Sequence, residues 1–173
     1  MALSRPGQVY AASVILLGFA AIVQCLWQLL QVPVGSQWLV LAVLTLISGS
    51  ASIKLPGVHV SISISEAFVF TAVLLYGPEA GTLTVALDAL VISFWIARRR
   101  PETVRALFNI SAPALSVWLS ANLFFRTSGI APLVAHPASL NEILPSLILF
   151  ALTYFGINSW LIAFVVAFEQ RQK

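Results

Sequence analysis

The sequence predicts an all-α polytopic integral membrane bundle of six transmembrane helices, with both termini in the cytoplasm and a short non-helical insert before the third helix. Three observations carry this. First, 60% of the 173 residues are hydrophobic and only 9% are charged, with a mean hydropathy of +0.97. A soluble domain carries about 25% charged residues, and this chain has too few to cover a soluble surface. Second, apolar runs follow one another from Val9 to Phe168 with short breaks. Third, positive charge is segregated. With six crossings, Arg5, Lys54, Arg98, Arg99, Arg100, Arg105, Arg171 and Lys173 fall on one side and only Arg126 on the other. Such an asymmetry orients a membrane protein with its basic side in the cytoplasm. It also explains the net charge of +3 without nucleic acid. The expected location is a bacterial inner (plasma) membrane.

The whole chain, 1–173, reads as one membrane domain. Its first span, about 9–30, has no charge and is long enough for a hydrocarbon core of about 30 Å. It exceeds a signal-peptide core in length and is expected to be retained. A turn with Pro33 and Gly35 leads to a second span at about 38–53, where Trp38 is an interfacial anchor. The third span is expected at about 58–76. Within it, Val58 to Ser65 alternates apolar and polar residues, a period of two that marks a strand. Extended backbone inside a bilayer must be shielded by protein or line a wet cavity. Extended and helical readings of this piece both stay open. If it is extended, Ser65 caps a helix that starts at mid-depth, with Glu66 in its first turn.

Gly77-Pro78 turns the chain into a fourth span at about 78–97, because Pro suits a first helical turn where no N–H is needed. Arg98-Arg99-Arg100-Pro101 ends it. The fifth span, about 103–125, contains Pro113 and should kink there. The sixth, about 141–168, follows a Gly- and Pro-containing loop and runs into a polar tail.

Polar residues inside these runs are the candidate ligand-binding groups: Glu66, Asp88, Asn109, Asn158 and Trp118. Asp88 falls near the middle of the fourth span, where a carboxylate costs about 2.5–3.5 kcal/mol on insertion scales and therefore faces a bundle interior. Helix tying and ligand binding both remain readings of Asp88 and Glu66. Buried amides such as Asn109 and Asn158 serve equally as interhelical glue. Cys25 stands alone, so no intrachain disulfide forms, and His59 and His136 share no metal-ligand spacing with any carboxylate. No nucleophile triad, zinc-protease, P-loop or dinucleotide motif is present. No cofactor is implied, and the chain is not expected to be an enzyme.

The runs ISISEAFVFTAVLLYGPEAGTLTVALDALVISF, LFNISAPALSVWLSANLFF and YFGINSWLIAF resemble the N-terminal multi-span membrane region of bacterial cyclic-di-GMP signalling proteins. In those, a membrane sensor module precedes a diguanylate cyclase or HD-GYP phosphodiesterase domain. The resemblance implies small-molecule sensing and a cytoplasmic output domain or partner, which would carry any catalysis. The chain stops at Lys173, where such a domain would begin, so it reads as a lone module or a fragment. The order LPGVHVSISISEAFVFTAVLLYGPEAGTLTVALDAL is similar in architecture to substrate-capture subunits of energy-coupling-factor vitamin transporters. That resemblance implies instead a captured vitamin-like substrate and a coupling subunit, although the first span has no AxxxA pattern of the kind used there for coupling. The lipid bilayer is the one partner common to both. A homodimer stays open. A reporter fused at Ala135 is expected to read on the extracytoplasmic side, and a cytoplasmic reading would refute the six-span arrangement.

Overall fold

In a computed structural model, the described residues are 5–32, 34–49, 52–54, 61–63, 65–96 and 103–170. They form six α-helices and two short strands: α1 (Arg5–Gln31), α2 (Gln37–Gly49), β1 (Ser52–Lys54), β2 (Ser61–Ser63), α3 (Ser65–Tyr76), α4 (Pro78–Val91), α5 (Thr103–Ser128) and α6 (Leu140–Gln170). A π-helical turn over Ile92–Ile96 extends α4.

Two spans differ from expectation. The second helix stops at Gly49, and Ser52–Lys54 are extended. The third does not start at 58, because α3 begins only at Ser65 and has 12 residues. Between them β1 and β2 pair antiparallel, with Ser52 opposite Ser63, Ile53 opposite Ile62 and Lys54 opposite Ser61. The period-two signal thus marks a strand, and its partner is a segment that sequence reading gave to a helix. Pairing satisfies backbone groups that an isolated extended segment would leave bare. Val58 to Val60, His59 among them, lie outside the described residues, as do Arg98 to Arg100.

Helix α5 is the axis of the bundle, packing on α1, α4 and α6. The face that α1 turns inward is a single stripe of small side chains (Gly7, Ala11, Val14, Gly18, Ala21, Cys25). Steps of three and four keep these residues on one face, and their size lets helices approach closely. The opposite face exposes Leu16, Leu17, Val23 and Trp27. Helices α3 and α4 run antiparallel and pack together. They are joined at Gly77, whose φ of 99° is a conformation that only glycine adopts without strain. Trp38 is half-buried rather than a free anchor. Its indole Nε1 donates to the Ala80 carbonyl (3.2 Å) and the Thr84 hydroxyl (2.9 Å), fastening α2 to α4. The α5–α6 loop folds over the end of α3, with Leu133 N–H donating to Leu74 O at 3.0 Å. A core of Val69, Val73, Val117, Phe124 and Phe150 joins α3, α5 and α6.

Three helices are long and apolar enough to cross a membrane: α1, α5 and α6. Helices α2 and α3 are apolar but shorter, about 18–20 Å at 1.5 Å per residue.

A polar cleft inside the helix bundle

Above α5, with α3 and α4 on one side and α6 on the other, lies a cleft of about 240 Å³. Four residues singled out from the sequence line it, one from each helix: Glu66 of α3, Asp88 of α4, Asn109 of α5 and Asn158 of α6. Ser65 and Tyr154 complete its polar lining, and Val69, Phe108 and Ala112 are among its apolar walls. Asp88 is 7% exposed, Ser65 3% and Tyr154 2%. Asn109 is exposed and marks the mouth.

The carboxylates have hydroxyl partners. The Ser65 hydroxyl faces Asp88, and the Tyr154 hydroxyl faces Glu66. Tyr154 is held by Phe70, whose ring meets it edge-on with centroids 5.1 Å apart. Both acids also stand at the start of α3, where unpaired N–H groups and the helix dipole favour negative charge. Among the described residues no Lys, Arg or His lines the cleft. Arg105 is engaged elsewhere, in an ion pair with Glu169 at 3.1 Å. The Asn158 Oδ1 is buried and has no hydrogen-bond partner among the described residues.

Three of the four helices depart from regular α geometry at the cleft. Helix α3 begins there, at Ser65. Helix α4 passes into its π turn at Ile92, a cleft residue. Helix α5 carries Pro113, also on the cleft wall. Proline has no N–H, so the Asn109 carbonyl loses its helical partner four residues on. π turns of this kind often lie at functional sites.

Trp118 does not join this group. It sits nine residues beyond Asn109, about two and a half turns of α5, which places it on the opposite face. It is half-buried there, and its carbonyl accepts from Asn122 Nδ2 at 2.8 Å. Sequence reading overlooked Tyr154, although a signal existed: it precedes Asn158 by four residues and so shares its face. Pro113 stands in the same relation to Asn109. Ser65 was noticed as a cap, and its side chain also serves Asp88.

The arrangement offers hydrogen-bond acceptors in an apolar pocket. Among the described residues, no group of three or more His, Cys, Asp or Glu is placed to hold a metal.

Asp88 fits only because α2 ends in glycine. A Cβ built on Gly49 would overlap the Asp88 carboxylate. Gly49→Ala is therefore expected to destabilise the fold by about 1–3 kcal/mol, as overpacking does. In an Asp88→Ala background the same change should cost much less. Chemical or thermal unfolding of the four proteins in detergent measures this coupling, and additive effects would contradict the contact.

Over residues 22–173 the sequence matches the model of MASE9, a membrane-associated sensor family. The match carries no link to cyclic-di-GMP output domains or to vitamin transporters. No curated protein and no solved structure matches the chain. Apolar helices of spanning length, a polar cleft among them and a family match over most of its length agree: the chain belongs to the MASE9 family of membrane-associated sensors.

Proposed function

We propose that this MASE9 chain is a membrane-embedded small-molecule sensing module that passes a conformational signal to a cytoplasmic output domain or partner. The observation that carries the reading is the cleft between α3–α4 and α6, lined by polar groups from four helices. A ligand there would touch α3, α4, α5 and α6 together, adding to the direct contact of Phe70 in α3 with Tyr154 in α6. It would shift the equilibrium between two arrangements of α6 only by binding one of them better.

In this reading the chain crosses a bacterial inner membrane six times with both termini in the cytoplasm. The short α2 and α3 complete their crossings through the β1–β2 pair, which protein must shield from lipid. Helix α6 then ends on the cytoplasmic side, where Arg105 and Glu169 fasten it to the start of α5. Displacement of α6 would reach whatever follows, a cyclase or phosphodiesterase domain by the resemblance of the sequence.

A fusion of the chain to a reporter output enzyme tests this. Glu66→Gln and Asp88→Asn should each change output by at least about fivefold, the lower end of typical allosteric coupling. Leu17→Ala and Leu152→Ala, on exposed helix faces, should leave output unchanged. Both pairs must match wild type in abundance and membrane insertion. Unchanged output in the acid variants would refute the reading.

A further inference from the structure

The polarity of the cleft specifies a class of ligand, and the inference rests on the sensing role proposed above. Hydrogen-bonding capacity in the cleft is unbalanced. The Ser65 and Tyr154 hydroxyls face Asp88 and Glu66, and each has a single proton to give. A carboxylate has about four acceptor sites, so each acid keeps most of its capacity. The Asn158 Oδ1 has no partner among the described residues, and Pro113 frees the Asn109 carbonyl from its helical bond. Acceptors are in surplus, and the donors left on the lining side chains are the two Asn amide nitrogens.

Charge points the same way. Ionised, the two carboxylates carry two negative charges, and the α3 N-terminus returns only about half a positive charge. No basic side chain among the described residues lines the cleft. A ligand that brings donors and positive charge, and no acceptors, is an ammonium group, with three N–H donors and no lone pair. The rings of Phe108 and Tyr154 in the lining add surface that favours a cation.

Size narrows the class. A volume of about 240 Å³ holds roughly eight waters at about 30 Å³ each. It falls below the ordinary range for drug-sized ligands, about 300–1,000 Å³. Apolar side chains, Val69, Val85 and Ile162 among them, line the remainder. We propose that the cleft binds a small aliphatic amine in its ammonium form, with the nitrogen between Glu66 and Asp88 and the short alkyl chain against the apolar wall.

The test uses the full 173-residue chain in lipid nanodiscs, with n-butylammonium chloride, n-butanol and sodium butyrate as probes at matched ionic strength. Calorimetric titration and thermal unfolding are the readouts. Butylammonium should bind and raise the unfolding temperature, with butanol at least about tenfold weaker and butyrate without effect. Glu66→Gln should weaken butylammonium at least about tenfold without changing butanol affinity, because it removes one charge-assisted partner and keeps the shape. Asn158→Leu, which leaves both acids in place, gives a second measure should Glu66→Gln fail to fold, and it should weaken butylammonium by a smaller factor. Equal binding of butanol and butylammonium, or butylammonium affinity untouched by Glu66→Gln, would overturn the ammonium assignment and leave the sensing role standing. If no probe binds while the reporter output still responds to Glu66→Gln, the ammonium class falls and the sensing role again survives. Silence in both experiments would remove both.

Discussion

Placing two carboxylates in an apolar helix bundle, with no basic side chain among the described residues lining their cleft, is the constraint that orders this structure. Each such group costs several kilocalories per mole to remove from water unless it is hydrogen-bonded. The fold answers with local partners rather than with counter-charges. The Ser65 hydroxyl faces Asp88 and the Tyr154 hydroxyl faces Glu66, and the positive end of the α3 dipole favours negative charge beside it. Gly49 gives way so that the Asp88 carboxylate can approach α2. Phe70 meets the Tyr154 ring edge-on and packs in turn against Phe150, with centroids 4.7 Å apart. These contacts come from four elements, so the site and the helix packing depend on each other.

Irregular backbone gathers at the same depth. A regular α-helix conceals its polar groups, which is why it suits lipid. The start of α3, the π turn after α4 and Pro113 of α5 each open that ladder beside the cleft. In a membrane such openings survive only where protein or a wet cavity receives the freed groups. Helix α6 is continuous from Leu140 to Gln170 and forms the remaining wall. It carries its own proline, Pro145, in its second turn and away from the cleft lining.

Much of this was legible in the sequence. Apolar runs separated by Pro, Gly and charge announced six helices, and the bounds of α1, α5 and α6 lie within four residues of those expected. Asp88 and Glu66 were legible because charge at mid-span has few explanations, and Asn109 and Asn158 because amides are scarce in such runs. The β1 strand was not legible. Ser52 and Ile53 continue an apolar run that Lys54 ends, and only partners seven to eleven residues on make the three extended. Trp118 misled because its residue type suggested a pocket while its helical phase placed it on the far face of α5. Tyr154 hid among other aromatics of α6, since periodicity gives the face of a helix and not what stands opposite it.

In the proposed reading, polar groups from four helices line a cleft that a water-soluble ligand can reach from within the bundle. Cysteine accessibility measures this most directly. In a Cys25→Ala background in nanodiscs, a membrane-impermeant, ammonium-bearing methanethiosulfonate would be offered to Asn158→Cys and to Leu152→Cys, on the same helix. Leu152 is 68% exposed on the outer face of α6, and Asn158 lines the cleft. The account predicts modification of Asn158→Cys and protection of Leu152→Cys by lipid. Equal inertness of the two thiols would contradict it.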